Sequence, residues 1–123
     1  IDPREYFANE KRFPNDLIIN KWPDVALENF TFNFSDNIVT LTHDPKIDDL
    51  ALKIALNSTA GYIGSLGSRK THASRIERLK SEGYNLEQIS KIHAPIGLNI
   101  SSRTPQEIAL SIMAEITQVR RNF

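Results

Sequence analysis

Apolar positions along the chain fall into short runs separated by longer stretches of helical period, the pattern of strands joined by helices rather than by hairpins. Leu17-Ile18-Ile19, Ile38-Val39-Thr40-Leu41-Thr42 and Ala60-Gly61-Tyr62-Ile63-Gly64 are brief and lack polar alternation, as strands of a parallel sheet buried on both faces do. Residues 24–29 suit a short helix, and residues 46–56 place Ile47, Leu50, Ala51 and Ile54 on one helical face. Ser68 is placed to cap a helix running to about Glu82, where Gly83 supplies a left-handed stop. Residues 86–92 suit another short helix, and no strand is expected there. Thr104-Pro105-Gln106-Glu107 is a capping box with proline at the first helical position. It opens a helix to Arg121 whose Ile108, Ile112, Ile116 and Val119 line one face. The expectation is an α/β fold in one domain spanning residues 1–123, without repeats, low-complexity tracts or linkers.

Composition narrows the partners more than the fold. The 123 residues are 24% charged and 40% hydrophobic, which disfavours both disorder and a membrane-embedded chain. Fifteen basic residues balance fifteen acidic ones, so no global field draws the protein to nucleic acid or an anionic membrane, and any anion site must be local. The absence of cysteine excludes disulfide scaffolds, thiolate zinc sites and cysteine nucleophiles, and fits a cytoplasmic location. Ile1-Asp2-Pro3 has neither the basic start nor the apolar run of a signal peptide, and further chain is expected upstream of it. Without a secretory signal, the sequons at Asn29, Asn33, Asn57 and Asn99 read as chance.

Candidate chemistry gathers in loops. Gly61 to Lys70 runs from a strand through a glycine-rich turn into a helix start, where phosphate sites are built from backbone amides and a nearby cation such as Arg69 or Lys70. Its spacing matches neither the dinucleotide fingerprint nor the Walker loop, and a tight turn with a capping serine explains it equally well. Thr42-His43-Asp44-Pro45 follows a strand at the carboxyl edge, where open α/β sheets bind ligands. His43 and Asp44 there could bind a hydroxyl or exchange a proton, or Asp44 could serve only as a helix cap. Asp2, followed by Pro3-Arg4, could meet the ribose hydroxyls of a dinucleotide, the glycine fingerprint that would pair with it being expected about twenty residues upstream, outside this sequence. Arg103 beside the last helix, with His93 to Leu98, reads first as a plain connection, and His72 and His93 as residues of a solvated helix face and a helix end rather than of a site. His43 with Asp48 or Asp49 reproduces no recognised ligand spacing, so no metal is expected.

Taken together, several strings resemble the carboxy-terminal domain of the XdhC/CoxI family. They are Asp2-Pro3-Arg4 with Phe7-Ala8 and Arg12-Phe13-Pro14, Leu41 to Asp44, Tyr62 to Arg69, His93 to Leu98, Arg103 to Ala109, and Ala114-Glu115-Ile116, in order across nearly the whole chain. The resemblance implies a Rossmann-like, doubly wound and mostly parallel sheet that lacks its first β-α unit here, so that the core is completed by another segment or chain. It also implies an accessory protein that binds molybdenum cofactor, assists its sulfuration with a cysteine desulfurase and delivers it to a xanthine dehydrogenase-type molybdenum hydroxylase. No catalytic residue is assigned. The implied cofactor pocket combines Asp2, Arg4, His43, Asp44, Gly64, Gly67, Ser68 and Arg69. The competing readings are an NAD(P)-dependent oxidoreductase with His43 as proton donor, and a homodimerisation scaffold built on the helix from Thr104 to Arg121.

Overall fold

A computed structural model describes residues 1–122. Three parallel strands, β1 (Asn37–Thr40), β2 (Tyr62–Ser65) and β3 (Ile92–His93), form one sheet in the order β1-β2-β3. Helices α1 (Pro23–Ala26), α2 (Pro45–Leu56), α3 (Arg69–Ser81), α4 (Leu86–Ile89) and α5 (Pro105–Arg121) surround it. Asn37 stands opposite Tyr62 and Thr40 opposite Ser65, while Ile63 and Gly64 meet Ile92 and His93.

Alternation along the strands sorts the core into two layers. Ile38, Ile63 and Ile92 face Leu52, Ala55 and Leu56 of α2, Leu79 of α3 and Ile89 of α4. Val39 and Tyr62 turn the other way, onto Ile108, Ile112, Ile116 and Val119 of α5. Helices therefore cover both faces of a parallel sheet, the doubly wound arrangement. Four consecutive buried residues in β2 follow from its central place between two neighbours and two helical layers.

The caps expected from sequence form. Thr104 accepts from the Glu107 N–H at 3.1 Å while Glu107 Oε1 accepts from the Thr104 N–H at 3.0 Å. Ser68 accepts from the Thr71 N–H at 3.1 Å, and Gly83 takes a φ of 97° after α3. Asp44 caps α2 by accepting from the Lys46 N–H at 3.0 Å.

Three expectations are corrected. Leu17-Ile18-Ile19 is not a strand: among the described residues it has no ladder partner, Leu17 is exposed, and the Ile19 carbonyl accepts a single bond from the Asp2 N–H at 3.1 Å. A strand does follow α4, because that helix stops at Ile89 and Ile92-His93 docks beside β2. On α2 the expected Ile47 is buried, but the other deep apolar residues are Leu52, Ala55 and Leu56, while Leu50, Ala51 and Ile54 are half-buried. That helix packs against the sheet through one face and lines a cleft with Ile47 and Ala51.

Candidate functional site

The carboxyl ends of β1 and β2 lie side by side and feed two loops. They are stitched by the Leu66 N–H donating to the Thr40 carbonyl at 2.9 Å and by the buried Thr40 and Ser65 hydroxyls, 2.7 Å apart. In a doubly wound sheet this is the edge where ligands bind.

In the first loop, Thr42 Oγ1 donates to Asp48 Oδ1 at 2.6 Å and accepts from the Asp44 N–H at 3.1 Å. This tight turn puts His43 at a φ of 64°, in the left-handed region, with its side chain exposed. Asp44 is occupied as a cap. Close by, Asp2 is buried and grips Arg4 with both oxygens: Arg4 Nε donates to Oδ1 at 3.0 Å and Nη2 to Oδ2 at 2.9 Å. The Arg4 guanidinium holds the Asp2 carboxyl below its ordinary pKa, and Asp2 first, then Asp44 and Asp48, raise that of Arg4. Asp2, Arg4, His43 and Asp48 all line a cleft of about 680 Å³ beside β1, whose walls are largely apolar and include Phe7, Phe13, Ile38 and Ile47.

In the second loop, Gly67 takes a φ of 141°, a conformation that a side chain would strain. Ser68 caps α3, its Oγ also 3.0 Å from Thr71 Oγ1. Gly64 lies further back, inside β2, where a Cβ would stand 2.6 Å from Ile96 Cδ1 and 2.7 Å from the Tyr62 hydroxyl. Its smallness serves packing against the loop after β3. The structure thus divides the expected residues into two groups on one edge: Asp2, Arg4 and His43 in the cleft, followed by Asp44 as the α2 cap, and Gly67, Ser68 and Arg69 around the start of α3.

That start is electrostatically unlike the others. α1, α2, α4 and α5 each carry an acidic residue in the first turn, which complements the positive end of the helix dipole. α3 carries none and begins Arg69-Lys70. Both cations are exposed, and neither forms a hydrogen bond or ion pair among the described residues. Two free cations beside the free amides of a helix N-terminus are placed to hold an anion.

A residue passed over in the sequence lies beneath this turn. Arg75, in the second turn of α3, is 3% exposed. Its Nη1 is 3.2 Å from His72 Nδ1, and its Nε is 3.9 Å from Asp49 Oδ1. Asp49 is itself engaged bidentately by Arg78, at 2.7 and 3.2 Å. An arginine in a polar stretch reads as a solvated face, and only the packing of α3 on α2 reveals it as internal.

Residues 1–116 match the family described as the XdhC Rossmann domain. The chain belongs to that family. This XdhC domain is 34% identical over 121 residues to a protein from Bacillus subtilis (strain 168) named as a probable xanthine dehydrogenase subunit, covering 98% of the chain and 34% of the relative. It is 34% identical over 83 residues to the molybdenum cofactor insertion chaperone PaoD of Escherichia coli (strain K12), covering 68% of the chain and 26% of that protein. A crystal structure of a xanthine dehydrogenase from Bacillus halodurans superposes with a TM-score of 0.76 at 31% identity, over 96% of the XdhC domain and 33% of that chain. The domain therefore spans about a third or less of the relatives it matches. Among the described residues no helix is long and apolar enough to cross a membrane.

The remaining polar loop is structural in this geometry. Glu115 of α5 accepts from the Tyr62 hydroxyl at 2.6 Å and from the Gly97 N–H at 3.1 Å, and lies 3.7 Å from His93 Nδ1. The His93 ring stacks on Tyr62, with centroids 4.8 Å apart. This cluster ties the segment after β3 to α5. Arg103 lends its N–H to Glu107 at 2.8 Å, next to the capping box.

Proposed function

We propose that the chain is the cofactor-binding part of a maturation factor, which holds molybdenum cofactor, assists its sulfuration together with a cysteine desulfurase, and passes it to a xanthine dehydrogenase-type hydroxylase in the cytoplasm. The observation that carries the reading is the start of α3: the Gly67 turn, the Ser68 cap, and Arg69 and Lys70 without a carboxylate partner among the described residues. A phosphate-bearing pterin fits this donor set, because backbone amides and cations donate directly to phosphate oxygens. The cofactor chaperone among the relatives supports the same reading. Asp2, Arg4, His43 and Asp44 would frame the rest of the ligand along the same edge, with Gly64 allowing the close packing behind it. The cofactor itself supplies the molybdenum chemistry, and the residues here bind and orient it. No catalytic residue is assigned to the chain.

We also propose that the open edge of β1 is covered by a further strand from the longer polypeptide to which such domains belong. The Asp36 and Thr40 carbonyls point at β2, where they accept from Gly61 and Leu66. Strand alternation then turns the backbone groups of Asn37 and Val39 outward, toward the apolar cleft. A bare edge beside exposed Phe7, Phe13 and Leu17 is a surface that proteins normally cover.

The test is a parallel titration of the full-length protein with molybdenum cofactor and with NAD(P), followed by mass spectrometry of what stays bound. Retention of the pterin is expected, and Arg69→Ala is expected to weaken it by roughly tenfold or more, the range of a lost charge-assisted contact. Binding and turnover of NAD(P) without pterin retention would replace this reading with the oxidoreductase.

A further inference from the structure

Arg75 is a cation whose burial nothing in the fold fully compensates. Its Nε has no hydrogen-bond partner among the described residues, and the nearest carboxylate oxygen, 3.9 Å away, belongs to Asp49, which already forms two short bonds to Arg78. Among the described residues the one side-chain hydrogen bond of Arg75 is to the neutral ring nitrogen of His72, through Nη1. Buried charges ordinarily have a hydrogen-bonded counter-charge, and an orphaned donor of this kind marks either a strained packing choice or a missing ligand.

The direction of the side chain favours a ligand. Long side chains on a helix point back toward its N-terminus, and Arg75 follows this rule. Its Nη2 ends 3.9 Å from the point that a Cβ on Gly67 would occupy. The turn that begins α3 therefore has a guanidinium under it and two exposed cations after it. A Cβ at Gly67 would meet the Thr71 side chain at 3.0 Å and then this guanidinium, so the Arg75 head group comes within van der Waals reach of the turn.

Resting on the reading that this turn holds a phosphate, we propose that Arg75 is an internal anchor for that group. Its Nε–Nη2 edge donates to a tetrahedral, dianionic oxyanion held at Gly67, Ser68 and Arg69. A planar guanidinium presents two parallel donors matched to two phosphate oxygens, a geometry that a spherical monoanion such as chloride does not match, and the Asp49 carboxylate 3.9 Å from Nε is already held by Arg78. Arg69 supplies charge from the surface, and Arg75 supplies directional bonds from within.

The probe is inorganic phosphate added to the full-length, 15N-labelled protein, with sodium chloride of equal ionic strength as reference. The Arg75 Nε–H resonance, assigned in the wild-type protein through its connection to the Arg75 side-chain carbons, is expected to shift saturably together with the Gly67 and Ser68 amides. Arg75→Lys keeps the charge and loses the paired donors, so its phosphate affinity is expected to fall by roughly tenfold. If the loop amides shift saturably while the Arg75 resonance stays fixed, the anchor role is overturned and the glycine-turn site stands. If the Arg75 resonance shifts and Arg69→Ala leaves the affinity unchanged, the anchor stands and the surface cation is discarded from the site. If no resonance moves, both fall. The wild-type titration decides the matter even where the variant does not fold.

Discussion

His72 is a residue whose protonation the fold resists. Burial first, and the adjacent Arg75 guanidinium second, lower its pKa from the ordinary 6.5. Its Nδ1 must stay unprotonated to accept from Arg75. The unfolded chain takes up a proton near the ordinary value while the native state does so only at lower pH, so within that window the unfolded state holds more protons. Stability contributed at this site is therefore complete above about pH 6.5 and declines as the pH falls below it. His72→Gln retains an acceptor for Arg75 and does not titrate. Melting temperatures taken from about pH 8 to about pH 5, a range that spans the ordinary histidine pKa, are expected to fall less steeply for the variant than for the wild type. Parallel slopes would show that His72 is solvated. Tyr62 shows the same principle without a physiological consequence: burial, and then the Glu115 carboxylate it bonds, keep its hydroxyl protonated far beyond its usual range.

Among the elements, α3 is built against its own dipole. Cations in the first turn of a helix cost about 0.3–1 kcal/mol relative to anions at low salt, and every other helix described here places an acid there. A helix selected for stability alone would not begin Arg69-Lys70. Reversing both charges, Arg69→Glu with Lys70→Glu, is expected to stabilise the domain by about 0.5–1 kcal/mol in urea unfolding at low salt and to abolish binding of phosphate-bearing ligand. A variant that loses stability and keeps its ligand would remove the electrostatic argument for a site. The elements also show what a sequence can disclose. α5 is legible because its signals are local: a capping box, a proline at the first position and an apolar face at a period of 3.6. β3 is not, because two residues carry no period and become a strand only through Ile63 and Gly64 beside them. The opposite error at Leu17-Ile18-Ile19 has the same cause, since β-branched residues record a preference that only a neighbouring strand can satisfy. The glycine turn is legible as a candidate site from its composition, whereas Arg75 is not, since its burial depends on how α2 and α3 pack.

At the scale of the whole molecule, two buried layers are complete around β2, and the incompleteness lies on the far side of β1. There the cleft is floored by the strand edge and walled by residues before Asp24, among them Phe7, Phe13 and Leu17, which have no regular element to pack beneath among the described residues. The Asp2–Arg4 pair hangs on this same wall, so the half of the site containing Asp2, Arg4 and His43 depends on what fills the cleft, whereas the α3 half rests on the finished core. Amide exchange in the full-length protein separates the two cases. If a further strand covers β1, the outward N–H groups of Asn37 and Val39 become ladder donors and are expected to exchange with protection close to that of Ile63 in the central strand. If the edge stays open, they exchange at nearly the rate of a solvated loop while Ile63 remains protected. That outcome would leave the cleft as a ligand cavity in its own right, and Asp2→Ala would then be expected to alter cofactor affinity directly rather than through the packing of the edge.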